Sequence, residues 1–290
     1  MFYISKDFGN GFYGVTDSKD GVEEKVSLQQ LRAIPFPIYG YWGRRVTVYK
    51  SLQNIVDRYN LLQRVSGFVS FKVEYFPPTE HLSSTFFRGE LIALTQFNPR
   101  GEEKVVVPEF VMAIKGRGFE GCENIKTIVL PRHLESIGTR CFDSCVSLTE
   151  ITLPPSLSEL SSGAFLECRS LRRIVIPEGI TKIPLECFSN CNNLEYVILP
   201  KSLREISDYA FNACVSLEEI VIPDGVTAIG ADVFSECPNL RIVNIPINAE
   251  VVALAGLLEC SSLKSIYISK KAKMYDAFMQ SRLKSLVKAY

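Results

Sequence analysis

Residues 145–168 read CVSLTEITLPPSLSELSSGAFLEC, and residues 168–191, which share the boundary cysteine, read CRSLRRIVIPEGITKIPLECFSNC. Cysteine, leucine, proline and phenylalanine stand at the same places in both, one 23-residue step apart. The step extends in both directions. Cys122, Cys145, Cys168, Cys191, Cys214, Cys237 and Cys260 keep it, as do Pro108, Pro131, Pro154, Pro177, Pro200, Pro223 and Pro246. Phe119, Phe142, Phe165, Phe188, Phe211 and Phe234 form a third series, which Leu257 completes, and no insertion interrupts the register from Val105 to Ile268. Self-similarity at a fixed short period is the signature of a solenoid.

Within each unit, a stretch such as Leu171 to Pro177 alternates apolar side chains and is rich in β-branched residues, which suits a short strand. The proline cannot donate to a ladder and closes it. Ser161 to Cys168 and Ser207 to Cys214 then offer an N-cap serine before one or two helical turns. Leu148, Ile151, Leu153, Leu157, Leu160, Phe165 and Cys168 are the inward-facing set of one unit, too few to order 23 residues alone, so neighbouring units have to stack. The expected architecture is α/β: a parallel β-sheet along one side, short helices or 3₁₀ turns along the other, and a cap at each end.

The spacing resembles leucine-rich repeats, and the Pro, Phe and Cys positions resemble the BspA-like subclass over residues 87 to 268. The commoner leucine-rich consensus carries an asparagine after the strand; here proline is followed closely by Ser, Gly or His, so no asparagine ladder is expected. The resemblance implies a horseshoe with the sheet on its concave side, which binds proteins and often serves as a surface or adhesion module.

In each strand the residues between the buried positions face outward, and they form two columns. The first is Thr127, Glu150, Arg173, Tyr196, Glu219, Ile242 and Ser265; the second is Val129, Thr152, Val175, Ile198, Val221, Asn244 and Tyr267. The second is largely apolar. An apolar stripe edged by charge is suited to a protein or an extended peptide, and the candidate binding residues are the members of both columns from Thr127 and Val129 to Ile242 and Asn244. A self-assembling structural subunit is the alternative, with a homo-oligomer formed through the stripe or the ends; an N-terminal enzyme targeted by the solenoid is a further one.

Residues 1–86 lack the period and read as a small α+β domain, with strands around the Asp-Gly turn at 20–21, helices over 27–34 and 50–65 and a strand over 69–76. Residues 87–269 are the solenoid, opened by a degenerate leading repeat. Residues 270–290 place Met274, Phe278, Leu283, Leu286 and Val287 at helical spacing, which predicts a C-terminal capping helix. That segment has net charge +5, beside −8 over residues 101–269.

The 290 residues carry 32 basic and 32 acidic side chains, 47% apolar residues and 22% charged ones. This is a globular composition with no electrostatic excess for nucleic-acid binding. Arg44 and Arg45 beside Tyr39, Tyr41, Trp42 and Tyr49 could stack on bases, but such aromatics more often build a small core. No apolar run reaches the length of a membrane span. The first residues lack the pattern of a secretory signal, and nine cysteines without C-x-x-C spacing read as free, buried thiols of a reducing compartment. The expected address is therefore cytoplasmic, with the cell surface as what the resemblance implies for a chain whose signal has been removed. His81 and His133 have no metal-ligand or catalytic context, and no phosphate-binding glycine motif occurs. Neither a cofactor, a metal nor an enzymatic activity is expected.

Overall fold

The structure is a computed structural model that describes residues 3–9, 12–16, 24–27, 71–76, 91–109, 111–252 and 255–290. The expected strands around 20–21 and the helices over 27–34 and 50–65 fall wholly or partly outside the described residues. Within them, Phe12–Thr16 pairs antiparallel with both Tyr3–Gly9 and Glu24–Ser27.

From residue 91 the chain is a solenoid of parallel strands. One row holds Lys104–Val106, Thr127–Val129, Glu150–Ile151, Arg173–Val175, Tyr196–Ile198, Glu219–Ile220, Ile242–Ile245 and Ser265–Ile268. Its paired strands meet at the 23-residue step, Lys104 against Thr127, Arg173 against Tyr196 and Ile242 against Ser265. The alternation that predicts these strands is what the burial shows: Ile128, Ile174, Ile220 and Ile266 point into the core while their neighbours face solvent.

A second parallel row, which the sequence did not suggest, lies after the prolines. It consists of two-residue strands such as Ser136–Ile137, Glu159–Leu160, Lys182–Ile183 and Glu205–Ile206, again in 23-residue register. Its leading strand is Leu91–Phe97, which also pairs antiparallel with Phe71–Phe76, so the sheet reaches across the boundary expected near residue 86.

Of the short helix or 3₁₀ turn expected in each unit, most repeats take the 3₁₀ form as a run of turns, and Ala255–Leu258 is helical. Cys141, Asp143 and Cys145 donate to the carbonyls three residues back, as in a 3₁₀ turn. The alternate amides leave the unit: Arg140, Phe142 and Ser144 donate to Ser162, Ala164 and Leu166 of the next repeat at 2.8–2.9 Å. Turning every second amide outward needs left-handed backbone at both ends of the run, which Arg140 (φ 53°) and Ser144 (φ 59°) adopt. The same pair of slots is left-handed at Glu186 and Asn190, Tyr209 and Ala213, and Asp232 and Glu236. The turn side is thus a third inter-repeat ladder.

Between the rows lies one apolar core. Phe97, Phe119, Phe142, Phe165, Phe188, Phe211 and Phe234 stack ring on ring with centroids 5.1–6.0 Å apart. Each boundary cysteine from Cys145 to Cys260 donates its S–H to the carbonyl of the phenylalanine 26 residues earlier, at 3.1–3.3 Å. All nine cysteines are buried and unpaired.

Residues 270–290 do not form the single helix expected. A six-residue helix, Tyr275–Gln280, buries Phe278; a 3₁₀ turn, Lys284–Leu286, follows; and Val287–Ala289 adds to the first strand row, paired with Ser265–Ile268. Ser281 ends the helix in extended backbone, and the open edge of the last repeat offers the following residues backbone partners that a longer helix would leave unused.

Candidate binding face

The outward residues of the first strand row form the candidate site, because the in-register strands bring each 23-residue series into one column. Glu150, Arg173, Tyr196, Glu219 and Ile242 are exposed in the first column and Thr127 is half-buried. In the second, Val129, Thr152, Val175, Ile198 and Val221 are exposed. The apolar members stand well into solvent, Tyr196 at 63%, Ile198 at 59% and Val221 at 72% exposure. Over the central three repeats the columns enclose a shallow groove of about 900 Å³. Its floor is Val175, Tyr196, Ile198 and Val221, and its charged edge is Arg173, Lys201, Glu219 and Asp224.

Asn244 differs from the other members. Its amide bridges to the preceding repeat, Nδ2 donating to the Ile222 carbonyl at 2.7 Å and Oδ1 accepting from the Ile222 amide at 2.6 Å. In the equivalent position Val107 and Ile176 donate to the backbone carbonyls of Val129 and Ile198. The Asn244 side chain thus substitutes for a ladder bond and holds two strands together.

Lys104 and Val106 extend both columns by one repeat, with Val106 57% exposed, and were missed although they stand 23 residues before Thr127 and Val129. Their repeat keeps the register at Val105 and Pro108 but lacks the leading cysteine. Lys288 joins the other end, beside Tyr267, and nothing in the period could have found it.

The opposite, turn-side surface exposes Leu185 and Tyr209 among polar groups that bond one another. Buried Asp143 accepts from Arg140 (3.3 Å) and Ser144 (2.9 Å), Ser189 donates to Asn212, and Asn212 Nδ2 donates to the Ser235 carbonyl. Burial pushes the thiols up, Cys122 to about 11 and Cys237 and Cys260 to about 12, so they stay protonated donors instead of nucleophiles or metal ligands. Among the described residues no group of three His, Cys, Asp or Glu side chains could hold a metal ion. No described helix is long and apolar enough to cross a membrane.

A family profile described as "BspA type Leucine rich repeat region" matches residues 92–211 and 181–288, in six copies. The chain belongs to the BspA-type leucine-rich repeat family. Among solved structures it is similar to the T. pallidum leucine-rich repeat protein TpLRR, with 25% identity, TM-score 0.58, and 72% of this chain and 100% of that one covered. A leucine-rich cell surface protein from Faecalibacterium prausnitzii A2-165 shares the fold at 21% identity and TM-score 0.50, over 68% of this chain and 72% of that one. A search of the curated proteins returns no match. As a BspA-type leucine-rich repeat, the solenoid is a protein-interaction or structural module of a family whose members are in general not enzymes.

Proposed function

We propose that this BspA-type module acts by recognition and not by catalysis, and that its strand face, centred on Arg173, Val175, Tyr196, Ile198, Glu219 and Val221, takes a protein or an extended peptide. The observation that carries this is the exposed apolar column of Val175, Ile198 and Val221 beside Tyr196. A soluble protein seldom leaves a contiguous apolar stripe in water, and such stripes rimmed by charge mark protein contacts. The nine unpaired thiols suit a reducing compartment, which makes an intracellular partner the expectation.

The experiment is affinity capture from lysate and surface fractions with three chains: wild type, V175E/Y196A/I198E, and L185E, whose exposed side chain lies off the face. Folding is checked by thermal midpoint. The strand-face variant should lose the specific captured protein at least tenfold while L185E keeps it. Equal capture by all three would refute the strand face and direct attention to residues 1–86 and 270–290.

A further inference from the structure

Across the three central repeats the first column runs Arg173, Tyr196, Glu219 and the second runs Val175, Ile198, Val221. Read in the reverse direction the second column is nearly unchanged, and the first returns with its charges exchanged. That is the pattern of a surface complementary to itself. An isologous contact requires that residue i of one copy meet residue j of the other while j meets i.

We propose that the occupant of the strand face is a second copy of this chain, laid face to face about a two-fold axis that runs along the Tyr196–Ile198 strand. The proposal rests on the strand face being a protein-binding surface and names its partner. Rotation about that axis keeps each column facing its own kind and reverses the order of repeats. Arg173 meets Glu219 of the second copy, and Glu219 meets its Arg173. Val175 meets Val221, and Tyr196 and Ile198 meet their own counterparts. Farther out Thr127 faces Ser265, Thr152 faces Asn244, and Val129 faces Tyr267. Glu150 opposite Ile242 is mismatched, and so is Val106 opposite Lys288 at the ends of the second column. At the turn edge the same axis sets Lys201 opposite its own counterpart and Asp224 opposite Glu178, so the charge match is carried by the two Arg173–Glu219 pairs alone.

Within the first column the position of the axis is set by charge. Moving it half a repeat toward Arg173 sets Glu150 against Glu219, two like charges. Half a repeat the other way sets Arg173 against Ile242, a charge desolvated without a partner. An axis along the solenoid would exchange the columns and oppose Arg173 to Val175, with the same cost. Within the chain neither Arg173 nor Glu219 is committed elsewhere: among the described residues no ion pair or side-chain hydrogen bond engages them, whereas the adjacent Glu218 pairs with Arg241 at 3.2 Å. Association of two such stripes depends on protein concentration.

The test is sedimentation velocity of the full chain from about 1 to about 500 μM, with the variants R173E, E219R and R173E/E219R. The wild type should dimerise and weaken at high salt. R173E and E219R should each stay monomeric at least tenfold higher in concentration, and the double variant should recover. Mixing the two single variants should restore a dimer, because the two carboxylates of the R173E chain then meet the two guanidinium groups of the E219R chain. That recovery also shows that both variants are folded. A wild type that is monomeric throughout, single variants that dimerise unchanged, or a mixture that stays monomeric would each overturn the proposal. If V175E/Y196A/I198E loses a captured protein while the wild type is monomeric, the occupant is another protein, and the recognition reading survives where this one fails. If that variant changes neither capture nor association, both fall.

Discussion

At the scale of single residues, the cysteine in each unit has a specific task. Its thiol bonds the Phe carbonyl 26 residues earlier, tying a turn to the repeat before it. The sequence made the position of these cysteines plain and their burial inferable, but the hydrogen bond appears only once the stacking is known, because its acceptor lies in another unit. Burial keeps the folded thiols protonated above the range where they ionise in an unfolded chain. A thiol with a raised folded pKa contributes its stability below about pH 9 and loses it between there and about 11 to 12, where the unfolded state binds fewer protons than the folded one. Each such thiol lowers stability by roughly 1 kcal/mol per pH unit in that window. The melting temperature should therefore hold from pH 6 to 8 and fall steeply from pH 9 to 11, and a flat profile would show that the thiols are not desolvated. In the same chain Cys191→Ala, which deletes one S–H···O bond (3.2 Å) and leaves a small void, should cost about 1–2 kcal/mol by denaturant titration.

At the scale of elements, the strands of the first row were legible because period-two alternation and a closing proline are both written in the sequence. The second row was not, since two residues are too few to show a period, and its pairing depends on the neighbouring repeat rather than on local preference. The turn side, expected as short helices or 3₁₀ turns, was legible only in part for a related reason. Ser161 and Ser207 look like helix caps, but the next repeat lies close enough to take every second amide, and among the described residues ten non-glycine positions accept positive φ in return. Left-handed backbone costs a residue with a Cβ about 1 kcal/mol, and this cost is removable where the side chain has no other role. Glu236 is exposed at φ 56°, so Glu236→Gly should raise stability by about 0.5–1 kcal/mol in urea titration. A loss would mean that the Glu236 side chain makes a contact worth more than the strain. Gly138 is the converse case: a Cβ there would overlap the Gly116 amide nitrogen and the Lys115 carbonyl carbon of the preceding repeat. Gly138→Ala has to push two backbones apart and should destabilise by about 2 kcal/mol or more.

At the scale of the whole molecule, each repeat touches only its neighbours, so stability is close to a sum of repeat terms and interface terms along one dimension. The phenylalanine stack is the most continuous of those interfaces. Its rings are inclined by 28°, 27° and 20° at the first three contacts and by 5–7° at the last three, so they become nearly parallel from Phe165 onward. Phe165 belongs to both regimes and is fully buried. Phe165→Ala removes two ring contacts and should cost about 3–5 kcal/mol. In a chain with one globular core that loss would be shared by every residue. Here it should fall on the central interfaces, dividing the array so that repeats on either side open separately. Hydrogen exchange should show protection lost most at residues 140–190 and least over Ser265–Ile268, and urea unfolding should broaden or split into two transitions. A single sharp transition with protection lost evenly from residue 104 to residue 268 would mean instead that coupling between repeats exceeds the stability of any one of them, and that the solenoid unfolds as a single unit.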